Sequence, residues 1–230
     1  VIPEGLPIVM PLLLATGVWR MGKRNVLVKK LQAVEALGQA RVIAVDKTGT
    51  ITRNELTVER VWTSGDTFTV SGVGYEPSGS ISLEGNLIDA ANHPELLLAG
   101  KLAAYCARAQ TMYVEDERRW RVSGDPTEAA LVVFGQKVGF LKADLERESP
   151  LLAEVPFDYH LKYHATLHKE EDRNVLTVIG APEAILAAAD TVRMDGKDVP
   201  LTDALRAEAE SAVRAFSQDA LRVVAVGVRH

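Results

Sequence analysis

The chain has 230 residues, 47% hydrophobic and 25% charged, with a formal net charge of -5 at pH 7. That length holds one large domain, or one domain with parts of others. With no basic surplus to neutralise phosphates, nothing points to nucleic acid as a partner. A single cysteine, Cys106, excludes an intrachain disulfide framework and fits a reducing compartment. Its expected role is that of a small buried residue on a helix.

Val1-Ile2-Pro3-Glu4 opens the chain without an initiator Met or a charged leader, so it does not read as a signal peptide. Residues 5–19 carry no charge. As helix they would run roughly 22 Å, short of the ~30 Å hydrocarbon core of a bilayer. Arg20, Lys23, Arg24, Lys29 and Lys30 follow. An apolar run leading into Lys and Arg is how a membrane helix leaves on the cytoplasmic side. Residues 1–19 are therefore read as the second half of a transmembrane helix. A buried helix of a soluble domain is the alternative that length leaves open.

Helix is expected to continue to about Leu37, with Gly38 as its stop. Residues 41–45, Arg-Val-Ile-Ala-Val, form a short β-branched run typical of a buried parallel strand. It ends at Asp46 and a Gly-containing loop, an arrangement suited to an open α/β sheet with its site at strand C-termini. Residues 56–70 have strand character, and 71–92 read as loop with a short strand near Ile81. A helix is expected from Pro94 to Ala109, burying Leu97, Leu98, Leu102 and Ala103. Short strands should flank Glu115-Asp116-Glu117, and a helix should follow Asp125. Strands are expected over 153–157, 163–168, 175–179 and 221–228, with a helix over 202–216. No repeat or low-complexity tract is visible, and both ends read as cut.

Asp46-Lys47-Thr48-Gly49-Thr50-Ile51-Thr52 is the most informative segment. A carboxylate at a strand end can attack the γ-phosphate of ATP to form an aspartyl-phosphate. Lys47 adds positive charge, and the small turn offers backbone groups and hydroxyls to phosphate or Mg2+. The segment, through Asn54, resembles the phosphorylation motif of P-type ATPases, a branch of the haloacid-dehalogenase-like superfamily. The resemblance implies Asp46 as nucleophile and the Thr48 carbonyl as a Mg2+ ligand. Soluble phosphatases of the superfamily carry a second Asp where Thr48 stands. Without that acid/base, the phosphoenzyme is expected to persist long enough to drive a conformational cycle.

Ile2-Pro3-Glu4-Gly5-Leu6-Pro7 would break a membrane helix and set a carboxylate within it, a surface loop being the alternative that the segment alone leaves open. Intramembrane carboxylates and unwound carbonyls mark ion paths. The segment resembles the break in the fourth transmembrane helix of type II pumps, which implies the Glu4 carboxylate and Ile2 carbonyl as ligands of the transported cation. Residues 22–38 resemble the stalk below it.

Residues 59–230 resemble the nucleotide-binding domain of the same pumps. Gly124-Asp125-Pro126-Thr127-Glu128 is a capping-box pattern in its own right; the resemblance adds that Glu128 faces adenine. By the same resemblance Phe157 stacks on the base and Lys162 contacts the nucleotide. Gly180 and Ala181, in Gly-Ala-Pro-Glu, let the backbone approach it, and Arg222 reaches the phosphates. Three departures stand out: Ile179 replaces the usual lysine, Leu161 the usual arginine, and Tyr159 an arginine common in calcium pumps. They imply weaker, less phosphate-dependent ATP binding. His160, His164 and His168 recur every four residues, but Tyr163–His168 reads as strand and no Cys or carboxylate completes a metal set, so they read as solvated or packed.

The expected organisation is a transmembrane fragment (1–19), a stalk (20–40), the start of a Rossmann-like phosphorylation domain (41–57), and an α+β nucleotide-binding domain with an antiparallel sheet flanked by helices (58–230). The implied function is ATP-driven cation transport through phosphorylated Asp46, with ATP and Mg2+ and with Ca2+ as the favoured ion. The parent would be an integral protein of a bacterial plasma membrane, cytoplasmic from about residue 20. Its other partners would be the bilayer and the remaining pump domains, including the actuator domain. The chain alone is expected to bind nucleotide without pumping. The alternatives are a soluble phosphatase or phosphotransferase, or a nucleotide-binding module without turnover.

Overall fold

The structure, a computed structural model, describes residues 6–230. Ile2 and Glu4, the expected cation ligands, lie outside the described residues. The chain divides into two units, Val1–Arg53 and Asn54–His230.

In the first unit, helix α1 spans Leu6–Gly22, with Pro11 inside it. Its 17 residues reach about 26 Å. No described helix is long and apolar enough to cross a membrane. Ile8, Leu12, Leu13 and Trp19 stand exposed along α1, and Lys23 Nζ lies 3.8 Å from the Trp19 ring centroid.

Helix does not continue to Leu37 as expected. Asn25 turns left-handed at φ 61°; its amide donates to the Gly22 carbonyl at 3.0 Å and the Val26 amide to that of Met21 at 3.0 Å. That pair of bonds is a Schellman motif, which satisfies the last carbonyls and ends the helix; asparagine is the residue after glycine best able to adopt it. A short helix, α2, resumes at Ala33–Gly38.

The strand expected over residues 41–45 is also not formed: Val42 and Ile43 are 85% and 83% exposed. A β-branched run becomes a strand only beside a hydrogen-bonded neighbour, and no described strand pairs with it.

The second unit opens with a meander of four antiparallel strands: β1 (Arg60–Thr63), β2 (Asp66–Val70), β3 (Ile81–Leu83) and β4 (Asn86–Ile88). Helix α3 (Pro94–Cys106) follows, shorter than expected, and it buries Leu96 completely where Leu97 and Leu98 are only half-buried. The side chain of Lys142 closes its C-terminus, donating to the carbonyls of Ala104 at 3.3 Å and Ala107 at 2.5 Å, a favourable place for a cation. The hairpin of β5 (Gln110–Val114) and β6 (Arg119–Ser123) leads to α4 (Pro126–Lys137) and α5 (Lys142–Glu148).

Next come β7 (Leu151–Asp158), β8 (Tyr163–Glu170) and β9 (Arg173–Gly180). Helix α6 (Pro182–Ala188), the β10 (Thr191–Met194) and β11 (Lys197–Pro200) hairpin, α7 (Asp203–Gln218) and β12 (Ala225–Arg229) complete the unit. The last strand is shorter than the expected 221–228. β12, β9, β8 and β7 form an antiparallel sheet in that order. One face, carrying Thr166, Thr177 and Ile179, packs on α3. On the other, Ile185 of α6 lies against Gly227. One apolar core joins the two four-stranded sheets to α3 and α4 through Phe68, Ile81, Leu96, Val132, Phe134 and Ile179.

Mixed helix and antiparallel sheet is the class expected for a nucleotide-binding domain. β7 is an edge strand with bulges between Leu151 and Ala153 and between Val155 and Asp158. Pro156 sits in the second, where its missing N–H costs the ladder nothing.

Candidate functional site

In the first unit, Asp46 starts a single wide turn over Lys47–Ile51. The Thr48 amide points toward Asp46 Oδ1 at 3.4 Å. Gly49 takes φ +76°, a left-handed conformation that a side chain would strain. The Thr52 amide and hydroxyl both donate to the Lys47 carbonyl, at 3.0 and 3.3 Å, and close the turn. Asp46, Lys47 and Thr48 are exposed. Oxygen donors of this kind suit Mg2+, which binds through one or two carboxylates together with substrate phosphates and retained waters. The Asp46 carboxylate and Thr48 carbonyl fit such a role in part. Among the described residues no group of three or more His, Cys, Asp and Glu could hold a metal ion.

In the second unit, Phe157, Lys162, Gly180, Ala181 and Arg222 fall at one end of the sheet. Phe157 is the penultimate residue of β7, half exposed at 52%, with Tyr159 edge-on at 5.4 Å. The connection from β7 to β8 is built by Asp158. Its carboxylate accepts the amides of His160 at 2.7 Å and Leu161 at 2.9 Å, and its carbonyl accepts the Lys162 amide at 2.7 Å. Lys162 is thereby held at φ 61°, a conformation few residues other than glycine adopt.

The Lys162 carbonyl in turn accepts the amide of Ala181 at 2.9 Å. Gly180 pairs with Tyr163 across the sheet, and a Cβ on it would come within 2.7 Å of the Tyr163 Cα and closer still to the Lys162 carbonyl. Lys162 Nζ reaches Glu183 Oε1 at 3.0 Å. The Glu183 backbone amide, then this lysine, hold its carboxyl below the usual range. Arg222 is exposed in the segment before β12, three residues ahead of Ala225, which pairs with Gly180.

Glu128 joins the same end indirectly. Asp125 caps α4, accepting the amides of Thr127 at 2.7 Å and Glu128 at 3.3 Å, a cap typically worth about 1 kcal/mol. The reciprocal arm of the expected capping box is replaced: the Glu128 carboxylate accepts the Arg108 amide at 2.9 Å. Its other oxygen faces His164 Nδ1 at 3.9 Å, on β8 two residues after Lys162. Arg108 and Glu154 form an ion pair alongside.

Sequence reasoning missed Asp158, His164 and Arg108. An Asp two residues before an amide is a turn signal that could have found the first; the other two are made neighbours only by the fold. Ile179, at the position of an expected nucleotide lysine, lies in the core at 5% exposure. His164 and His168 are buried and packed, the latter donating from Nδ1 to the Ser149 carbonyl at 3.0 Å. A separate concavity of about 330 Å³, lined by Asp66, His93, Glu95 and Asp195 among others, contains none of the expected site residues.

The family described as P-type ATPase, cytoplasmic domain N, matches residues 97–230. The chain is 40% identical, over 97% of its length, to the cation-transporting ATPase pma1 of Synechocystis sp.. It is 37% identical over 99% of its length to a calcium-transporting ATPase of Bacillus subtilis. Against the calcium-transporting ATPase type 2C member 1 of Bos taurus it is 35% identical over 98%. It spans 23–26% of these relatives' own lengths. The chain therefore belongs to the P-type ATPases, and its larger unit carries the match to their nucleotide-binding N domain.

Proposed function

We propose that this chain is the phosphoryl-accepting and nucleotide-binding part of a membrane pump that uses ATP to move a cation, with Ca2+ as the ion. The observation that carries the reading is the exposed Asp46 carboxylate at the head of the Lys47–Ile51 turn, in a chain of this family. The Ca2+ assignment draws on two relatives named as calcium-transporting ATPases and on Glu4 in its Pro-Glu-Gly-Leu-Pro setting.

In the proposed reaction ATP lies at the end of the β12-β9-β8-β7 sheet. Phe157 offers its exposed ring to adenine, where stacking is worth ~1–3 kcal/mol per base. Glu128, an acceptor when ionised, receives the exocyclic amine. Lys162 and Arg222 neutralise phosphate charge, and the tight approach at Gly180 and Ala181 lets backbone groups come near. A carboxylate oxygen of Asp46 attacks the γ-phosphorus. The bond from phosphorus to the β–γ bridging oxygen breaks, and ADP leaves with that electron pair. Mg2+ bound near Asp46 and the Thr48 carbonyl would neutralise developing charge on the phosphoryl oxygens. Lys47 contributes positive charge at the same turn.

In this reading residues 1–19 belong to a membrane helix with Ile2 and Glu4 as cation ligands, residues 20–40 to a stalk, and residues 41–57 to a Rossmann-like phosphorylation domain. Residues 58–230 form the nucleotide-binding domain, and the actuator and remaining membrane helices complete the pump. The exposed run 41–45 would then pair as a parallel strand in that phosphorylation domain. The protein would reside in the plasma membrane with residues beyond about 20 in the cytoplasm.

The test is uptake of radioactive Ca2+ into inside-out vesicles from cells expressing the complete gene. ATP-dependent uptake that Asp46→Asn and Glu4→Gln both abolish supports the proposal. Uptake of another cation in its place would refute the Ca2+ assignment, and ATP-independent accumulation would refute the pump.

A further inference from the structure

A buried polar chain crosses from α3 to β8 behind the nucleotide end of the sheet. His164, 5% exposed, places Nε2 at 2.7 Å from the Cys106 carbonyl and 3.1 Å from Cys106 Sγ. A carbonyl only accepts, so Nε2 carries a proton and donates it. Burial pushes the Cys106 thiol up to about 12, so the sulfur stays uncharged beside the ring. On the far side, Nδ1 faces Glu128 Oε1 at 3.9 Å. The other Glu128 oxygen accepts the amide of Arg108 at 2.9 Å, two residues after the carbonyl that His164 holds.

One imidazole thus ties down the backbone that donates to the carboxylate and also stands behind the carboxylate. At 3.9 Å from Nδ1, Oε1 gains no hydrogen bond from the ring and keeps its accepting capacity for a donor elsewhere. We infer that His164 is a positioning residue for the nucleotide base: it fixes the 106–108 backbone, presents Glu128 to an exocyclic amine, and so sets the preference for adenine over a 6-oxo purine. This rests on the reading that Glu128 contacts the base. Lys162 lies two residues earlier, immediately ahead of the same strand, so the ring links the base side of the site to its phosphate side.

The experiment titrates ATP and GTP into the chain and into His164→Met, His164→Gln, Glu128→Gln and the His164→Met/Glu128→Gln double variant. His164→Met should lower ATP affinity on the order of tenfold, within the coupling range of contacting residues, and bring the ATP and GTP affinities together. His164→Gln, whose amide can still donate to the Cys106 carbonyl, should restore most of the preference. In the Glu128→Gln background the effect of His164→Met should vanish, which a merely structural loss would not do.

Equal losses for ATP and GTP that persist in that background would overturn the inference. So would a narrowed preference in Glu128→Gln alone with His164→Met unchanged. If Glu128→Gln leaves both affinities untouched, the base-site reading itself fails and this inference with it. A measurement on the unsubstituted chain guards against misfolded variants. ATP should shift the His164 Nδ1 nitrogen resonance, and the shift should be absent in Glu128→Gln; an unmoved resonance on saturation with ATP contradicts the proposal.

Discussion

The carbonyl of Lys162 accepts the amide of Ala181 at 2.9 Å, locking the end of the β7–β8 turn onto the residue that follows β9. Two segments separated by a whole hairpin are therefore one rigid feature, and Gly180 sits between them with no room for a side chain. Gly180→Ala is expected to destabilise the fold by ~1–3 kcal/mol, the usual cost of overpacking, and to weaken ATP binding at the same time. Urea unfolding with and without ATP measures both effects. An Ala variant as stable as the parent would show that the turn yields more easily than its contacts indicate.

Phe157 should separate binding from stability. Its ring is half exposed on an edge strand, so Phe157→Ala should change folding stability by no more than about 0.5 kcal/mol. Losing a stacked base should cost ~1–3 kcal/mol of affinity, roughly tenfold or more. Calorimetric titration with ATP, paired with thermal unfolding, tests the contrast. A large stability loss with unchanged affinity would place the ring in the core and not against the base.

Glu170 gives a pH-dependent prediction away from the site. Its bond from Lys101, at 2.9 Å, holds its carboxyl below the usual range against the opposing effect of burial, with Arg173 adding to it. Burial works against the Lys101 charge and is the largest single effect, but the bond and charge of Glu170 together with Tyr105 outweigh it and leave the ammonium raised. A carboxyl lowered on folding adds stability above its unfolded pKa, about 4.3. That stability is lost as pH falls through the folded value. The raised ammonium adds stability below its unfolded value and loses it only in strong alkali. Glu170→Gln should therefore destabilise the chain at pH 7 by up to ~1 kcal/mol, since solvent still reaches the pair. The difference from the parent should shrink as pH drops below about 4.3. A difference that is constant from pH 7 to pH 3 would rule out the ion pair as its source.

Cys106 is fully buried, and burial pushes its thiol up to about 12. At pH 8 it should react with a thiol reagent only as fast as the fold opens, so labelling should be complete in urea and slow in its absence. Rapid labelling of the folded chain would contradict the packing around His164.

Much of this architecture was legible in the sequence because it is written in local patterns. Pro94, Asp125-Pro126 and Thr202 begin helices where caps and proline belong, and β5 to β9 fall where alternation and turns set them. What was not legible depends on neighbours. The β-branched run over residues 41–45 has no partner among the described strands. The helix after Gly22 stops because Asn25 closes a Schellman motif, a signal that periodicity hides. At the candidate site, Phe157, Lys162, Gly180 and Arg222 were named from motifs. The bond from His164 to the Cys106 carbonyl and its approach to Glu128 join residues 58 and 36 positions apart and exist only after folding. Sequence reading found no Cys or carboxylate to accompany the histidines, and the fold supplies one of each to His164.

The central claim is that Asp46 takes the γ-phosphate of ATP in a cation-dependent step. Its most direct test uses membranes carrying the complete protein and ATP labelled at the γ-phosphate. Acid-stable label on the protein is recorded with Ca2+, Mn2+, Na+, K+ or no added cation, and with Asp46→Asn as control. The account predicts label that appears with Ca2+, is discharged by hydroxylamine as an acyl phosphate, and is absent from Asp46→Asn. Label that survives Asp46→Asn, or no label under any cation, would contradict it.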